Sequence, residues 1–292
     1  MMPAVEKPVF VIGSGRSGTT ILYNLMSLHP RVYWFSNLSN LFPHRRLPIL
    51  AHRLLDLPVL GSRLKRRIIG HPKPRLAIRP GEGGNIFHGI CGFLHDRRTT
   101  EGDYDADAAR CLLRAIETHR RMTGRERFLC KQTANTQRLR LLNRIFPDAL
   151  YVHIIRDGRA VANSLHHTDW WKEVDIWWLG ARAAEAQARE EDPIVLCGLN
   201  WKHNVEEIMA HRALFGDRYL EIRYEALVTA VGDTVGRVLA FTGLDRDVAW
   251  MDLLPQTLVD MNTKWRNDLS QRQKDLLEEH IGASLRRLGY GK

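Results

Sequence analysis

The chain has 292 residues, and 44% of them are hydrophobic, which is enough to fill a sizeable core and excludes a disordered or fibrous protein. Lys and Arg total 43 against 33 Asp and Glu, so the formal net charge is +10. This surplus suits a polyanionic partner, such as nucleic acid, an anionic membrane or a phosphorylated small molecule, without choosing among the three.

Apolar segments that predict strands alternate along the chain with segments that predict helices. Pro8–Gly13 (PVFVIG) predicts a strand, and a glycine-rich loop connects it to a helix at Ile21–Leu28. The same alternation returns with strands at 127–131 and 149–155 and helices at 137–146 and 157–166. Strands that are nearly all apolar and alternate with helices predict a three-layer α/β fold around a central parallel sheet.

The rest of the chain adds elements on both sides of this core. A further strand is predicted at 219–223, and helices are predicted at 104–122, 199–214, 234–242 and 270–288. Residues 43–103 break the alternation with Pro, Arg and short apolar runs, which predicts an inserted helical lid or acceptor-side region within one domain spanning 1–292. Within this insertion, 47–67 suits either a basic lid or an element that lies on an anionic membrane surface.

The loop Gly13–Thr20 (GSGRSGTT) has the composition of a phosphate-binding loop. Its glycines let backbone N–H groups converge on an anion, and the following helix adds the positive end of its dipole. A Walker A loop has a lysine where Thr19 stands, and the cation of this loop is Arg16 instead. Nucleoside triphosphate chemistry relies on that lysine and Mg²⁺, so this loop suits the transfer of a group that carries less charge. We therefore expect no metal.

Two motifs resemble one known family. FVIGSGRSGTTIL at Phe10–Leu22 resembles the 5′-phosphosulfate loop of the sulfotransferases that use 3′-phosphoadenosine-5′-phosphosulfate (PAPS), and YVHIIRDGRAVANSL at Tyr151–Leu165 resembles their 3′-phosphate segment. The RSGTT form is similar to the carbohydrate- and protein-sulfating branch. The resemblance implies a P-loop-NTPase-like sulfotransferase fold, PAPS as donor and adenosine 3′,5′-bisphosphate (PAP) as product. It leaves the acceptor open among a glycan, a lipid and a small molecule that carries a hydroxyl or an amine.

The resemblance also assigns donor-binding residues. The expected set is Gly15, Arg16, Ser17, Gly18, Thr19 and Thr20 for the 5′ end, Arg156 and Ser164 for the 3′-phosphate, Tyr224 beside the adenine, and the closing segment Lys264, Trp265 and Arg266. Arg16 is also expected to act in catalysis, because in-line transfer needs positive charge at the leaving 5′-phosphate oxygen. The similarity extends through Lys131-Gln132-Thr133, but it implies no function for Lys131.

A catalytic base for the acceptor does not carry over from the family. In its protein-tyrosine branch a glutamate follows the His-Pro turn, and Asn37 stands near that place here. Glu82, in the Pro/Gly turn Arg79–Gly84, is the predicted substitute, and a solvated loop glutamate is the alternative. The remaining candidates are three histidines, each of which also suits a packed or surface role: His44, His88 and His95.

Two other functions stay open on the sequence alone. A P-loop kinase is opposed by the missing lysine, and a nucleic-acid-binding protein is suggested by the net charge of +10. No helix-turn-helix, zinc-finger or RNP pattern is present, so we expect no nucleic-acid partner. The four tryptophans in Asp169–Trp178 suit either stacking on an acceptor or a buried helix face.

The cysteines and the N-terminus bear on location. Cys91, Cys111, Cys130 and Cys197 include no CxxC pair and lie near no histidine at zinc-ligand spacing, which predicts reduced, mostly buried thiols. The first eight residues carry no apolar signal core, and no run approaches the ~20 apolar residues of a membrane span. We therefore expect a cytoplasmic protein.

Overall fold

The computed structural model describes residues 5–70, 78–189 and 192–291 of the chain. Its strands are β1 (Val9–Ile12), β2 (Val32–Tyr33), β3 (Arg127–Lys131), β4 (Leu150–Ile155), β5 (Asp175–Ile176), β6 (Ala181–Arg182) and β7 (Tyr219–Arg223). Five of these form one parallel sheet in the order β2-β3-β1-β4-β7, and β5 pairs with β6 antiparallel. The predicted central parallel sheet is confirmed.

Helices surround this sheet. They are α1 (Thr19–Ser27), α2 (Asn37–Leu41), α3 (Leu47–Leu50), α4 (Pro58–Gly70), α5 (Ala106–Thr123), α6 (Leu139–Ile145), α7 (Gly158–His166), α8 (Ala183–Gln187), α9 (Pro193–Ala210), α10 (Arg212–Phe215), α11 (Tyr224–Thr229), α12 (Val231–Thr242), α13 (Val248–Met251), α14 (Trp265–Asp268) and α15 (Gln271–Arg287). Short 3₁₀ helices lie at Ala51–Asp56, Glu101–Asp103, Thr133–Gln137, Asp169–Glu173 and Gly216–Arg218, and one turn of π-helix at Asn85–Ile90.

The alternating side chains of β1 show why the fold has three layers. Val9 and Val11 point into a core shared with α1 and α12, whereas Phe10 and Ile12 point into a second core shared with α5 and α6. A strand covered on both faces must be apolar at every position, which is what the sequence of β1 provides. A third core joins the sheet at Ile155 to α7, α9 and α15.

The region predicted as an insertion is built from short helices. It contains α3, α4, the 3₁₀ turn at 51–56 and the π-helical turn at 85–90, while residues 71–77 lie outside the described residues. The boundaries 43–103 and the single domain over 1–292 stay predictions. In the ranges that the structure describes, every helix is too short or too polar to cross a membrane.

The cysteine prediction is wrong for one pair. Cys91 and Cys111 form a disulfide, with Cα atoms 5.4 Å apart, that joins the segment after the π-helical turn to α5. Their separation of 20 residues gave no sign of contact, because only the packing of α5 against residues 85–90 brings them together. Cys130 and Cys197 are buried free thiols, as predicted.

The sheet also explains where a functional site can form. Because its strands are parallel, their carboxyl ends lie along the same edge. At that edge β1 ends before Gly13, β3 ends at Lys131, β4 ends before Arg156 and β7 ends before Tyr224. Residues far apart in the sequence therefore converge at one edge of the molecule.

Candidate active site

The loop Gly13–Thr20 leads from β1 into α1 with an open helix N-terminus. Gly18 has φ 93°, and an added Cβ would lie 2.6 Å from Cδ2 of Tyr224, so both the backbone and the close packing require glycine. Helix α1 has no side-chain cap and no acidic residue in its first turn. Within the described ranges the buried Ser17 Oγ has no hydrogen-bond partner. Open N–H groups and an unpaired hydroxyl fit a phosphate or sulfuryl group at this end of the helix.

A cavity of about 460 Å³ opens beside this loop, and we call it the donor cavity. Its lining collects most of the residues that the family resemblance assigned to the donor: Arg16, Gly18, Thr19, Thr20, Arg156, Ser164, Tyr224 and Lys264. Gly15 and Ser17 belong to the same loop and lie outside the lining. The volume is within the range of about 300–1,000 Å³ typical of small-molecule sites.

Hydrogen bonds connect the two phosphate motifs directly. Arg16 Nε donates to Ser164 Oγ at 2.9 Å, and Arg156 Nη1 donates to the carbonyl oxygen of Arg16 at 2.9 Å. The Arg156 guanidinium also donates to the carbonyl of Met261 at 2.6 Å and lies 4.2 Å from the centre of the Tyr224 ring. Burial is the main cause that lowers the pKa of Arg156 from its ordinary value. A partly desolvated cation of this kind is stabilised by a bound anion.

A polar network behind Arg156 fixes its orientation. Asn262 Oδ1 accepts from Arg156 Nε at 3.1 Å, and Asn262 Nδ2 donates to Glu225 Oε1 at 2.7 Å. The hydroxyl of Tyr290 donates to the other oxygen of Glu225 at 3.0 Å. Sequence reasoning missed this network, because Asn262 and Tyr290 belong to no motif and the only signal for Glu225 was its position next to Tyr224.

The predicted closing segment is divided between two cavities. Lys264 lines the donor cavity, whereas Trp265 and Arg266 line a neighbouring cavity of about 380 Å³ together with Arg159. The Arg159 guanidinium lies 4.4 Å from the Trp265 ring centre and forms an ion pair with Asp157 at 2.8 Å. In the structure, therefore, Trp265 packs on a paired arginine beside the donor cavity.

A second cavity of about 420 Å³ meets the donor cavity at Thr20, which lines both. We call it the acceptor cavity. Its lining includes Glu82 and also Asn37, the residue that stands near the family's glutamate position. Arg16 and Glu82 thus line two different cavities that share Thr20 in their walls.

The turn that carries Glu82 is held on several sides. Gly81 N donates to the carbonyl of Phe35 at 2.8 Å, and the hydroxyl of Tyr23, on α1, donates to the carbonyl of Gly81 at 2.9 Å. The half-exposed Glu82 carboxylate forms an ion pair with Lys131, whose side chain is only 7% exposed. Glu82 is therefore an anchored, ion-paired side chain, and Lys131 is a site residue to which sequence reasoning gave no role.

The three histidines are less suited to act as a base. His88 Nδ1 lies 2.6 Å from the carbonyl oxygen of Phe93, and its Nε2 lies 2.9 Å from the amide nitrogen of Gln132. Nδ1 must then donate and Nε2 must accept, so both ring nitrogens are occupied. Burial lowers the pKa of His88 to about 4. His95 packs on His88 with ring centres 4.4 Å apart, and His44 lines a separate cavity beside the disulfide.

Two tryptophans of the tryptophan-rich segment pack inside the molecule, whereas Trp170 is 53% exposed. Trp171 is buried in the third core, and Trp178 stacks on His203 with ring centres 4.0 Å apart. None of the four tryptophans lines the donor or the acceptor cavity. The described ranges contain no group of three or more His, Cys, Asp or Glu that could hold a metal ion, and the metal-free reaction stays a prediction.

A parallel sheet, a phosphate-type loop at its carboxyl edge and a cavity rich in arginine define a P-loop-like nucleotide-binding enzyme. The model of the Sulfotransferase family matches residues 8–248, which is most of the sequence, and the chain therefore belongs to this family. The enzyme class is that of the PAPS-dependent sulfotransferases.

Individual relatives are distant. Omega-hydroxy-beta-dihydromenaquinone-9 sulfotransferase Stf3 of Mycobacterium bovis is 21% identical over an alignment that is 316 residues long with its gaps. The alignment covers 98% of this chain and 76% of the relative. Carbohydrate sulfotransferase 4 of Mus musculus is 26% identical over 159 residues, 48% of this chain and 41% of the relative. Among solved structures, sulfotransferase STF9 from Mycobacterium avium has a TM-score of 0.60 at 16% identity and covers 97% of this chain and 77% of its own. That likeness supports the fold alone.

Proposed function

We propose that the protein transfers a sulfuryl group from PAPS to a hydroxyl of a lipid acceptor and releases PAP. The observation that carries the proposal is the meeting at Thr20 of two cavities, one lined by Arg16, Arg156 and Ser164 and the other by Glu82. A group-transfer enzyme needs donor and acceptor sites that adjoin in this way. The lipid acceptor is favoured because the Stf3 match spans nearly the whole chain, whereas the carbohydrate sulfotransferase match spans about half.

Donor binding is assigned to both sides of the donor cavity. PAPS supplies the sulfuryl group and carries phosphate at its 3′ and 5′ positions. Arg156 and Ser164 are proposed to bind the 3′-phosphate, with Tyr224 at the adenine side. The N–H groups at the start of α1 are proposed to bind the 5′ end, with Arg16 neutralising charge on the leaving oxygen.

The acceptor side supplies the proposed base. Glu82 faces the acceptor cavity from an anchored turn, and a carboxylate there can take the proton of an acceptor hydroxyl. Lys131 holds this carboxylate by its ion pair and brings a buried positive charge to the same wall. We further infer that residues 1–292 form one domain in which 43–103 supplies this acceptor side.

Calorimetry with PAP and with adenosine 5′-monophosphate tests the donor assignment without turnover. We expect PAP to bind about 10- to 150-fold more tightly, because its 3′-phosphate gains charge-assisted hydrogen bonds worth about 1.5–3 kcal/mol. Ser164→Ala should weaken PAP and leave the monophosphate nearly unchanged. Ser62→Ala, which removes an exposed hydroxyl outside both cavities, is the matched control. Equal binding of the two nucleotides to the wild-type protein would show that Arg156 and Ser164 are wrongly assigned.

The acceptor class needs a separate measurement. Labelled PAPS is incubated with the protein and a cell extract that has been separated into lipid, glycan, protein and small-molecule fractions. The proposal predicts label in the lipid fraction, in a product that has gained one sulfate ester. Label confined to the glycan fraction would replace the acceptor and leave the donor assignment standing.

A further inference from the structure

Large apolar side chains are exposed in one concentrated part of the chain. Within the described ranges, positions 41–60 hold eight of them: Leu41, Phe42, Leu47, Leu50, Leu54, Leu57, Val59 and Leu60. Leu47 is 77% exposed and Val59 is 67% exposed. Scattered exposed apolar residues are ordinary, but a group concentrated in one short segment is typical of a surface that contacts something else.

The local helices explain how one segment has both a buried and an exposed apolar side. Around the 3₁₀ turn at 51–56, Ile49, His52 and Leu55 recur at intervals of three and are buried. Between them, Leu50, Arg53 and Leu54 are exposed. One set of apolar side chains in this segment therefore packs into the core, and a second set is exposed at the surface.

Helix α4 shows the same division with basic residues added. Gly61 and Ile68 face inward and are buried, while Val59, Leu60 and Arg63 are exposed at helical spacing on the other side. Two further exposed arginines continue that side by one turn: Arg66 and Arg67. The outer side of the helix is thus apolar at its start and cationic toward its end.

The charge of this segment is strongly one-sided. Residues 41–70 contain seven Lys and Arg and a single acidic residue, Asp56, so they carry +6 of the net charge of +10. Asp56 is itself paired with Arg125 at 2.6 Å. The arginines of the segment therefore face solvent with little local negative charge to neutralise them.

We propose that the basic apolar face, defined as the exposed side chains of residues 41–67, docks on an anionic phospholipid bilayer. Aliphatic side chains next to arginines match the boundary between acyl chains and anionic headgroups. A nucleic-acid surface is disfavoured, because such surfaces interleave basic residues with stacking aromatic rings, and Phe42 is the only aromatic ring in this face besides the His44 imidazole.

The face is continuous with the acceptor cavity. Leu41 is 60% exposed and also lines that cavity. A docked enzyme would therefore open its acceptor cavity at the edge of the membrane contact, where the hydroxyl of an amphiphilic acceptor lies. This part of the inference rests on the proposed function and deepens it by naming the bilayer as the source of the acceptor, whereas the docking itself does not depend on it.

Flotation with lipid vesicles tests the docking. We expect the full chain to bind vesicles of phosphatidylcholine mixed with phosphatidylglycerol and to bind pure phosphatidylcholine vesicles weakly. Arg63→Gln with Arg66→Gln should lower binding to the anionic vesicles by roughly 25-fold, since each charge near such a surface contributes about fivefold. Leu47→Ser with Val59→Ser should lower it at least about tenfold.

A matched control removes apolar side chains that are equally exposed elsewhere. Val248 and Val259 are 72% and 79% exposed, and the Val248→Ser/Val259→Ser variant should bind vesicles like the wild type. Equal binding to both vesicle types, or unchanged binding by the Leu47/Val59 variant, would overturn the inference. So would tighter capture by single-stranded RNA than by anionic vesicles. PAP binding, measured on the same samples, shows separately whether the donor assignment stands.

Discussion

The donor side and the acceptor side of Thr20 are constructed differently. On the donor side Arg156 is bonded to the backbone of two other segments and stacked on Tyr224, so its position is fixed before any ligand arrives. On the acceptor side, short helices leave apolar and cationic side chains exposed around a turn that is held by a few hydrogen bonds. Donor recognition is thus built from contacts within the chain, while acceptor recognition leaves groups available for an external molecule.

The largest expected effect tests the acceptor side at Glu82. Glu82→Gln keeps the size of the side chain but cannot take up the acceptor proton, so turnover should fall about 10²- to 10⁴-fold. PAP affinity should stay nearly unchanged, because Glu82 lines the acceptor cavity and not the donor cavity. Steady-state kinetics combined with calorimetry measures both quantities.

Glu101 is a matched control for this substitution. Its side chain is 48% exposed and paired with Arg140, much as the Glu82 side chain is 49% exposed and paired with Lys131. Glu101→Gln should retain full turnover. A fully active Glu82→Gln variant would remove Glu82 as the base and bring His44, His88 and His95 back into consideration.

The next effect tests the donor side at Arg16. Arg16→Ala should lower turnover about 10²- to 10³-fold, because its charge acts on the oxygen that becomes negative as the sulfuryl group leaves. PAP binding should weaken less, because the same oxygen is then part of a fully formed 5′-phosphate that the N–H groups at the start of α1 also bind. Ser164→Ala removes the hydrogen bond to Arg16 Nε but keeps the arginine, which separates position from charge. Equal losses of turnover and PAP affinity would make Arg16 a binding residue only.

A third effect tests how much the Cys91–Cys111 disulfide stabilises the folded protein. Reduction, or the Cys91→Ser/Cys111→Ser variant, should lower the free energy of unfolding by about 3 kcal/mol, as expected for a closed loop of this length. PAP affinity should not change. Alkylation of the denatured, unreduced protein checks the bridge itself, and four reactive thiols would show that it is absent.

The same disulfide bears on location. Disulfides persist in oxidising compartments and are rare in reducing ones. The cytoplasmic location stays a prediction, and this bridge does not favour it.

The core of the fold could be predicted because its physical signals are local. The strands at 127–131 and 219–223 have the bounds that were predicted, since short segments rich in aromatic and aliphatic residues between turns are visible in the sequence itself. Val32–Tyr33 was missed, because two residues are too few to show any periodicity. The Cys91–Cys111 bridge was missed because its contact exists only after α5 has packed.

The candidate site divides in the same way. Arg16 and Ser164 belong to motifs, so sequence reasoning could name them, although their 2.9 Å hydrogen bond spans 148 residues and had no local sign. No role could be predicted for Lys131, because only the fold brings its buried ammonium group to the Glu82 carboxylate. Motifs identify groups that recognise a ligand, whereas the partners that hold those groups depend on tertiary contacts.

The smallest expected effect tests where the donor side ends. The test lies in the predicted closing segment 264–266, all of which was expected to bind the donor. Lys264 is exposed and lines the donor cavity, so Lys264→Ala should weaken PAP about two- to fivefold, as expected for an exposed charge pair. The effect should shrink as salt is added, because exposed charges are screened. Trp265→Ala should change PAP affinity less, because Trp265 packs on Arg159 in the neighbouring cavity. If calorimetry instead showed the larger loss for Trp265→Ala, the nucleotide would have to extend into that neighbouring cavity. The donor side would then be larger than the residues around Thr20 indicate, and Arg266 would belong to it as the sequence predicts.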